Sequence, residues 1–428
     1  MAETIVEKIL AKKSKRKRVS PDEIIWADVD LALTHDALGG PCYSIFKREF
    51  PHQRVWNRKR IVCVADHFVP PKDIESAIMY RRLKQFVEEQ KIPYFYSLEG
   101  GGDCGICHVI LPYCGHVKPG EVILGTDSHT TTHGALGAFA TGVGITDMAN
   151  VFRTGKIWLR VPHTIRFNLG GKLKTGVMAK DIILKIISNL GCDGANYKVM
   201  EFSGSVIKDL CVDERFTLTN MAVEAGAKAG IIEPDGKVKE FIQRATGGQK
   251  VIREIDWEDL RSDKDANYIE VKDYNLFELE PLVALPHSPE NVTEARRLKS
   301  VKIDQAYIGS CTGAKYYDLI KAAEVLEGRR IAKSVRLFVA PATLGIYKRL
   351  EKEGYMKIFL DSGARILSPG CGACLGTHLG VLGPGEVCIS TTNRNFRGRM
   401  GSPESFVYLA SPQTVASSAI KGYISPLT

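Results

Sequence analysis

Ser368-Pro369-Gly370-Cys371-Gly372-Ala373-Cys374-Leu375-Gly376 is the stretch on which the reading of this chain turns. Two thiols three positions apart, flanked by glycines, can converge on one metal centre from a single turn. A third, Cys311, sits upstream in a loop of small residues, Gly309-Ser310-Cys311-Thr312-Gly313. Three thiolates are one ligand short of the four that fill a structural zinc site. A metal centre with an open position is what substrate chemistry requires.

Working outward, the other cysteines fit this reading. The chain has 11 cysteines in 428 residues. That is far below disulfide-scaffold density, and an odd count leaves at least one unpaired. No apolar export segment opens the sequence and no long charge-free apolar run follows. A soluble protein of the reducing cytoplasm is therefore expected. Cys104 and Cys107 form a further C-x-x-C pair, read as structural because no second pair completes a zinc site. Cys42, Cys63, Cys114, Cys192, Cys211 and Cys388 are read as buried or neutral.

The net charge of +9 suits an acidic ligand, although part of it comes from the local run Lys12-Lys13-Ser14-Lys15-Arg16-Lys17-Arg18. That run follows a short amphipathic segment with a capping-box start, Thr4 to Glu7. No aromatic residues interleave with it, so it is read as a solvated loop and not as a nucleic-acid site.

Short β-branched runs alternate with amphipathic helical stretches, the mark of α/β layers. Residues 60–65 and 121–125 read as buried strands. Residues 73–90 read as a helix with Ile74, Ile78, Leu83 and Val87 as its apolar positions. A fresh series opens with a strand over 162–169 and a helix over 179–189. The polar stretch 253–275 interrupts it, and a third series begins near Val301. The expected domains are residues 1–157, 158–285 and 286–428, each an α/β/α unit.

Ionisable residues gather where strands meet loops, the place where open α/β sheets bind ligands. Asp66 and His67 follow the 60–65 strand, His108 lies beyond it, and Asp127, Ser128 and His129 follow the 121–125 strand. Asn220 and Glu224 are four apart, hence on one face of a helix. The segment Asn393-Arg394-Asn395-Phe396-Arg397-Gly398-Arg399 is read either as a surface loop or as a fork-shaped clamp for carboxylates.

Taken together, Asp127-Ser128-His129-Thr130, Gly309-Ser310-Cys311-Thr312-Gly313, Cys371-Gly372-Ala373-Cys374-Leu375-Gly376 and Asn393-Arg394-Asn395-Phe396 with Gly398-Arg399 resemble the aconitase superfamily. The motifs match in order over essentially the whole chain. The branch most resembled is the large subunit of 3-isopropylmalate dehydratase and homoaconitase-type hydro-lyases. The resemblance implies three α/β/α domains around one 4Fe–4S cluster held by Cys311, Cys371 and Cys374, with a labile iron left to bind substrate. It implies that a fourth, swivelling domain is a separate small subunit, which supplies a catalytic serine. By the same analogy His67, held by Asp66, protonates the departing hydroxyl. His108 pairs with Asp127 and His129 with Glu224. His35, Ser128, Asn220, Asn393, Arg394 and Arg399 surround substrate and cluster. The substrate is then a malate-type 2-hydroxy acid, and no nucleic acid or membrane is expected.

One departure bears on substrate choice. After His35-Asp36 the relatives carry a Thr-Ser-Pro-like stretch, whereas this chain reads Ala37-Leu38-Gly39-Gly40-Pro41-Cys42. 3-Isopropylmalate is the first expectation. Homoaconitase-type substrates and methyl-substituted malates such as 2,3-dimethylmalate are the alternatives. Two readings of other classes are an RNA-binding regulator related to aconitase and an electron-transfer iron–sulfur protein. The retained acid–base residues disfavour the first, and the missing fourth cysteine disfavours the second.

Overall fold

The structure is a computed structural model that describes residues 2–248, 252, 255–376 and 378–427. Leu31–His35, Ile61–Val64 and Val122–Gly125 are buried along their whole length, as strands covered on both faces must be. With Tyr94–Tyr96 and Phe139–Gly142 they make a five-stranded parallel sheet, ordered 94–96, 61–64, 31–35, 122–125, 139–142. Alternate residues serve opposite faces. Ala32, Ile61 and Leu124 pack with Phe86 and Phe152, while Leu33, Val62 and Ile123 pack with Ile110 and Leu136. From Leu31–His35 the chain works outward on one side, then returns to begin Val122–Gly125 on the other. A crevice opens at the carboxyl ends of two such neighbours, and ligands bind there.

The helix Ile74–Gln90 starts at Asp73 with a reciprocal cap to Ser76. Its apolar face differs from the expectation. Leu83, Phe86 and Val87 are buried, but Ile74 and Ile78 are 82% and 45% exposed. At 100° per residue Ile74 lies half a turn from Leu83, so the four residues never shared a face.

The second sheet is also parallel, ordered Ala229–Ile232, Val199–Ser203, Thr164–Gly170, Glu270–Asn275. Its last strand lies inside the polar stretch read from sequence as an interruption. An edge strand with mostly exposed side chains needs little apolar content, which hid it. Arg253 and Glu254, where that stretch begins, lie outside the described residues.

The third sheet has seven strands. Gln305–Ile308 is flanked by Arg336–Val339 on one side and Val387–Ser390 on the other, all parallel. This is a second point where strand order reverses, and the loops bearing Cys311 and Asn393 leave from it. The two crevices meet: Cys371 N donates to Asp66 O at 2.9 Å and Ile106 N to Ala342 O at 2.8 Å.

The basic run is tied down within the chain. Lys13 pairs with Asp30, Lys15 with Asp28, Arg16 with Glu23 and Arg18 with Glu3. Among the described residues no helix is long and apolar enough to cross a membrane.

Candidate active site

The first crevice delivers three histidines, each against a carboxylate. His67 Nδ1 donates to Asp66 Oδ1 at 2.6 Å, and its Nε2 lies 3.5 Å from Asp127 Oδ2. His108 Nε2 is 2.9 Å from Asp127 Oδ1, and His129 Nε2 is 2.7 Å from Glu224 Oε1. Burial works against charge on Asp66, but the imidazole charge and hydrogen bond of His67 prevail and hold it down at about 2. Burial likewise opposes a charged His67, yet Asp66 and Asp127 raise it well above the ordinary imidazole range. The charged imidazolium is thus the favoured form of His67 here.

His35 is placed differently. Its ring stacks on His67 with centroids 4.0 Å apart, and neither ring nitrogen has a hydrogen-bond partner. Burial, and next the charge of His67, push it down to about 3. It is a neutral plate behind His67.

Glu224 reaches His129 by a route that periodicity did not show. The helix Val212–Met221 ends first, and Glu224 sits on the tight 3-10 turn Ala222–Ala225 that follows. Arg394 Nε donates to both Glu224 oxygens, at 2.8 and 3.0 Å, and its Nη2 to Ser128 Oγ at 3.0 Å. These bonds engage the Nε–H and one N–H of Nη2, two of the five guanidinium donors. Arg399 lines the cavity, and among the described residues its buried Nε has no hydrogen-bond partner.

Cys311, Cys371 and Cys374 line the same cavity as His67, His108, His129 and Arg399. Asn220 and Asn393 aim their amide nitrogens at Cys311 Sγ, at 3.1 and 3.4 Å. Cys371 Sγ is 3.8 Å from Asp66 Oδ2. Cys107, from the separate Cys104–Cys107 pair, lies close by but acts through its backbone: its N–H donates to Asp66 Oδ2 at 2.8 Å.

Three positioning residues escaped the sequence reading. Asp36 accepts backbone N–H from Asp66, His67 and Phe68 at 3.2, 3.0 and 2.8 Å, so it fixes the turn that presents His67. Its adjacency to His35 at a strand end was the available signal. Lys180 is fully buried and donates to Thr391 O, Thr392 O and Thr312 Oγ1, tying the loops of Asn393 and Cys311 together. Lys315 holds Cys311 O while paired with Asp318 at 2.7 Å. Asp36→Ala leaves buried N–H groups without an acceptor and should cost about 3 kcal/mol of stability. A denaturant midpoint unchanged from the parent protein would remove Asp36 from this role.

What these parts can do together is move protons beside a sulfur-ligated group. The sequence comparisons agree. The profile of the Aconitase family (aconitate hydratase) matches residues 7–300 and 292–422. The chain belongs to the aconitase family. It is 48% identical over 425 residues to a probable 3-isopropylmalate dehydratase large subunit of Methanothermobacter thermautotrophicus, covering 99% of each chain. It is 49% identical to 3-isopropylmalate dehydratase large subunit 1 of Pyrococcus abyssi, covering 99% of this chain and 98% of that one. A probable methanogen homoaconitase large subunit of M. thermautotrophicus is 47% identical over 98% of this chain and 96% of its own. The crystal structure of holo-form aconitase X from Thermococcus kodakaraensis shares the fold, with a TM-score of 0.53 at 13% identity, over 93% of this chain and 91% of that one.

The residues fit the 4Fe–4S cluster for which the family is known. Burial, and next the neighbouring Cys374, push the Cys311 thiol up to about 12. Burial, then Asp66 and the other two cysteines, put Cys371 well above the usual thiol range. Cys311 and Cys371 ionise together only beside positive charge, which an iron core would provide. The amide donors of Asn220 and Asn393 suit a thiolate acceptor at Cys311, and soft sulfur ligands suit iron–sulfur chemistry.

Proposed function

We propose that this chain is the large, cluster-bearing subunit of an iron–sulfur hydro-lyase that reversibly dehydrates a malate-type 2-hydroxy acid in the cytoplasm. The substrate favoured is 3-isopropylmalate. The reading rests on full-length likeness to large subunits bearing that name, and the observation that carries its chemistry is the set of three carboxylate-held histidines facing three cysteines across one cavity. The chain is taken as three α/β/α units over residues 1–157, 158–285 and 286–428, although the strand Leu282–Ala284, just before the last boundary, is hydrogen-bonded into the third sheet.

Cys311, Cys371 and Cys374 hold the cluster, which when bound supplies a Lewis-acidic iron that is labile because no fourth cysteine retains it. The protein's own groups do the rest. His67, charged and oriented by Asp66, gives its proton to the leaving hydroxyl. Asp127 holds His108, and Glu224 holds His129, so that these imidazoles orient water and accept or return protons. Arg399 has an uncommitted guanidinium edge for a substrate carboxylate, which Arg grips bidentately. Arg394 fixes Glu224 and Ser128 and joins Arg399 in steadying a substrate carboxylate. The base for the carbon-bound proton is the serine of a small swivelling subunit.

The purified, cluster-loaded chain should therefore be inactive alone and gain hydratase activity when the small subunit is added. Full activity from the chain alone would defeat the split-enzyme reading. Assays of the reconstituted pair should rank 3-isopropylmalate first. A homoaconitase substrate is the second arm, because that relative is as similar as the others, and 2,3-dimethylmalate is the third.

A further inference from the structure

The strands Ile24–Asp28 and Lys156–Arg160 form a two-stranded antiparallel ribbon. Ile25, Ala27, Ile157 and Leu159 are buried, and the alternate residues point outward. A solvated sheet face ordinarily carries polar side chains. Here the middle of that face is Trp26 opposite Trp158, with Ile24 beside them, exposed at 62%, 56% and 64%. Paired tryptophans ringed by charges are the composition of an interface core and rim.

We propose that this face binds the same face of a second copy of the chain, about a two-fold axis lying along the strands. With the strands of the two copies kept aligned, identical patches meeting face to face leave two such in-plane axes. The register decides between them, since Ile24 lies opposite Arg160, Trp26 opposite Trp158 and Asp28 opposite Lys156. An axis across the strands sets Arg160 against Lys156 of the second copy, a like-charge contact made twice, and sets Asp28 against Ile24. An axis along the strands sets Asp28 against Lys156 of the second copy, twice, with the tryptophans stacked over one another between them. Ile24 then covers the apolar stem of Arg160. Within the chain Asp28 already pairs with Lys15 at 3.4 Å and stands 3.9 Å from Lys156, and Arg160 pairs with Asp22 at 3.4 Å, yet the Asp28 and Lys156 side chains remain 38% and 52% exposed for this contact.

Sedimentation of the full-length chain over a concentration series tests the proposal. A reversible dimer is expected, with tryptophan emission moving to shorter wavelength as it forms, and Trp26→Glu should leave monomer. Asp28→Lys and Lys156→Asp should each weaken association roughly tenfold, because each makes like charges face one another across the axis. Each variant also places like charges side by side within its own ribbon, so a mixture separates the two effects. In an equimolar mixture of the two variants every facing pair is again opposite, while the crowding inside each ribbon persists. The mixture should associate as tightly as the parent chain. A chain monomeric at every concentration, a dimer indifferent to Trp26→Glu, or a mixture no tighter than its components overturns the proposal. So does burial of the tryptophans only when the small subunit is added.

Discussion

Cys371→Ser should yield a folded chain without the visible absorption of an iron–sulfur cluster, and without activity when paired with its small subunit. Serine offers a hard oxygen that ionises far less readily than a thiol, so the softest part of the ligand set is lost. Two of three sulfurs then remain, and the charge of a cluster is no longer matched. Cys311→Ala should do the same and destabilise further, since the amides of Asn220 and Asn393 lose the sulfur they point at. Cys104→Ser is the contrast. That thiol does not line the cavity, and cluster content should be normal. Air should inactivate the parent enzyme, and ferrous iron with a reductant should restore it. Normal iron and sulfide content in Cys371→Ser would remove that residue from the ligand set. Activity indifferent to oxygen and chelators would point to a different metal.

Much of this arrangement can be read from the chain because it depends on local order. Strand ends are marked by a buried apolar run stopping at polar residues, and Asp66-His67, Asp127-Ser128-His129 and Cys311 all stand just past such stops. What brings them together is less visible. Each crevice opens where strand order reverses, the two are joined by contacts between distant loops, and no short stretch of sequence encodes either. Glu224 shows the limit of periodicity: spacing from Asn220 suggested one helical face, while the chain tightens into a 3-10 turn before reaching it. Ile74 shows the converse, an apolar residue on a helix that faces solvent. Lys180 was illegible for a different reason, and Asp36 was marked only by standing next to His35 at a strand end. Their work is done on backbone groups of distant loops, and a carboxylate or ammonium among helical residues carries no sign of which N–H or C=O it will meet.

His67→Asn should lower turnover per intact cluster by roughly a hundredfold or more, the usual contribution of a positioned general acid. Asparagine keeps a polar group of similar reach but has no proton to release at neutral pH. The cluster spectrum should be unchanged, because His67 contacts Asp66 and Asp127 and supplies no sulfur. Asp66→Asn leaves the imidazole in place and removes the negative charge that keeps it protonated, so a smaller loss of turnover is expected from chemistry alone. Asp66 Oδ2 also accepts the Cys107 N–H and approaches Cys371, so this variant should in addition lose some cluster and some thermal stability. That difference separates an acid from a strut. If His67 merely held its loop, His67→Asn would lower the melting temperature and cluster content together, and activity divided by bound cluster would stay level. If it is the acid, the divided activity collapses and the spectrum holds, even though the melting temperature also falls because Asn leaves the buried Asp66 and Asp127 without the imidazolium between them. Measuring all three quantities on the same reconstituted preparations decides between the two roles.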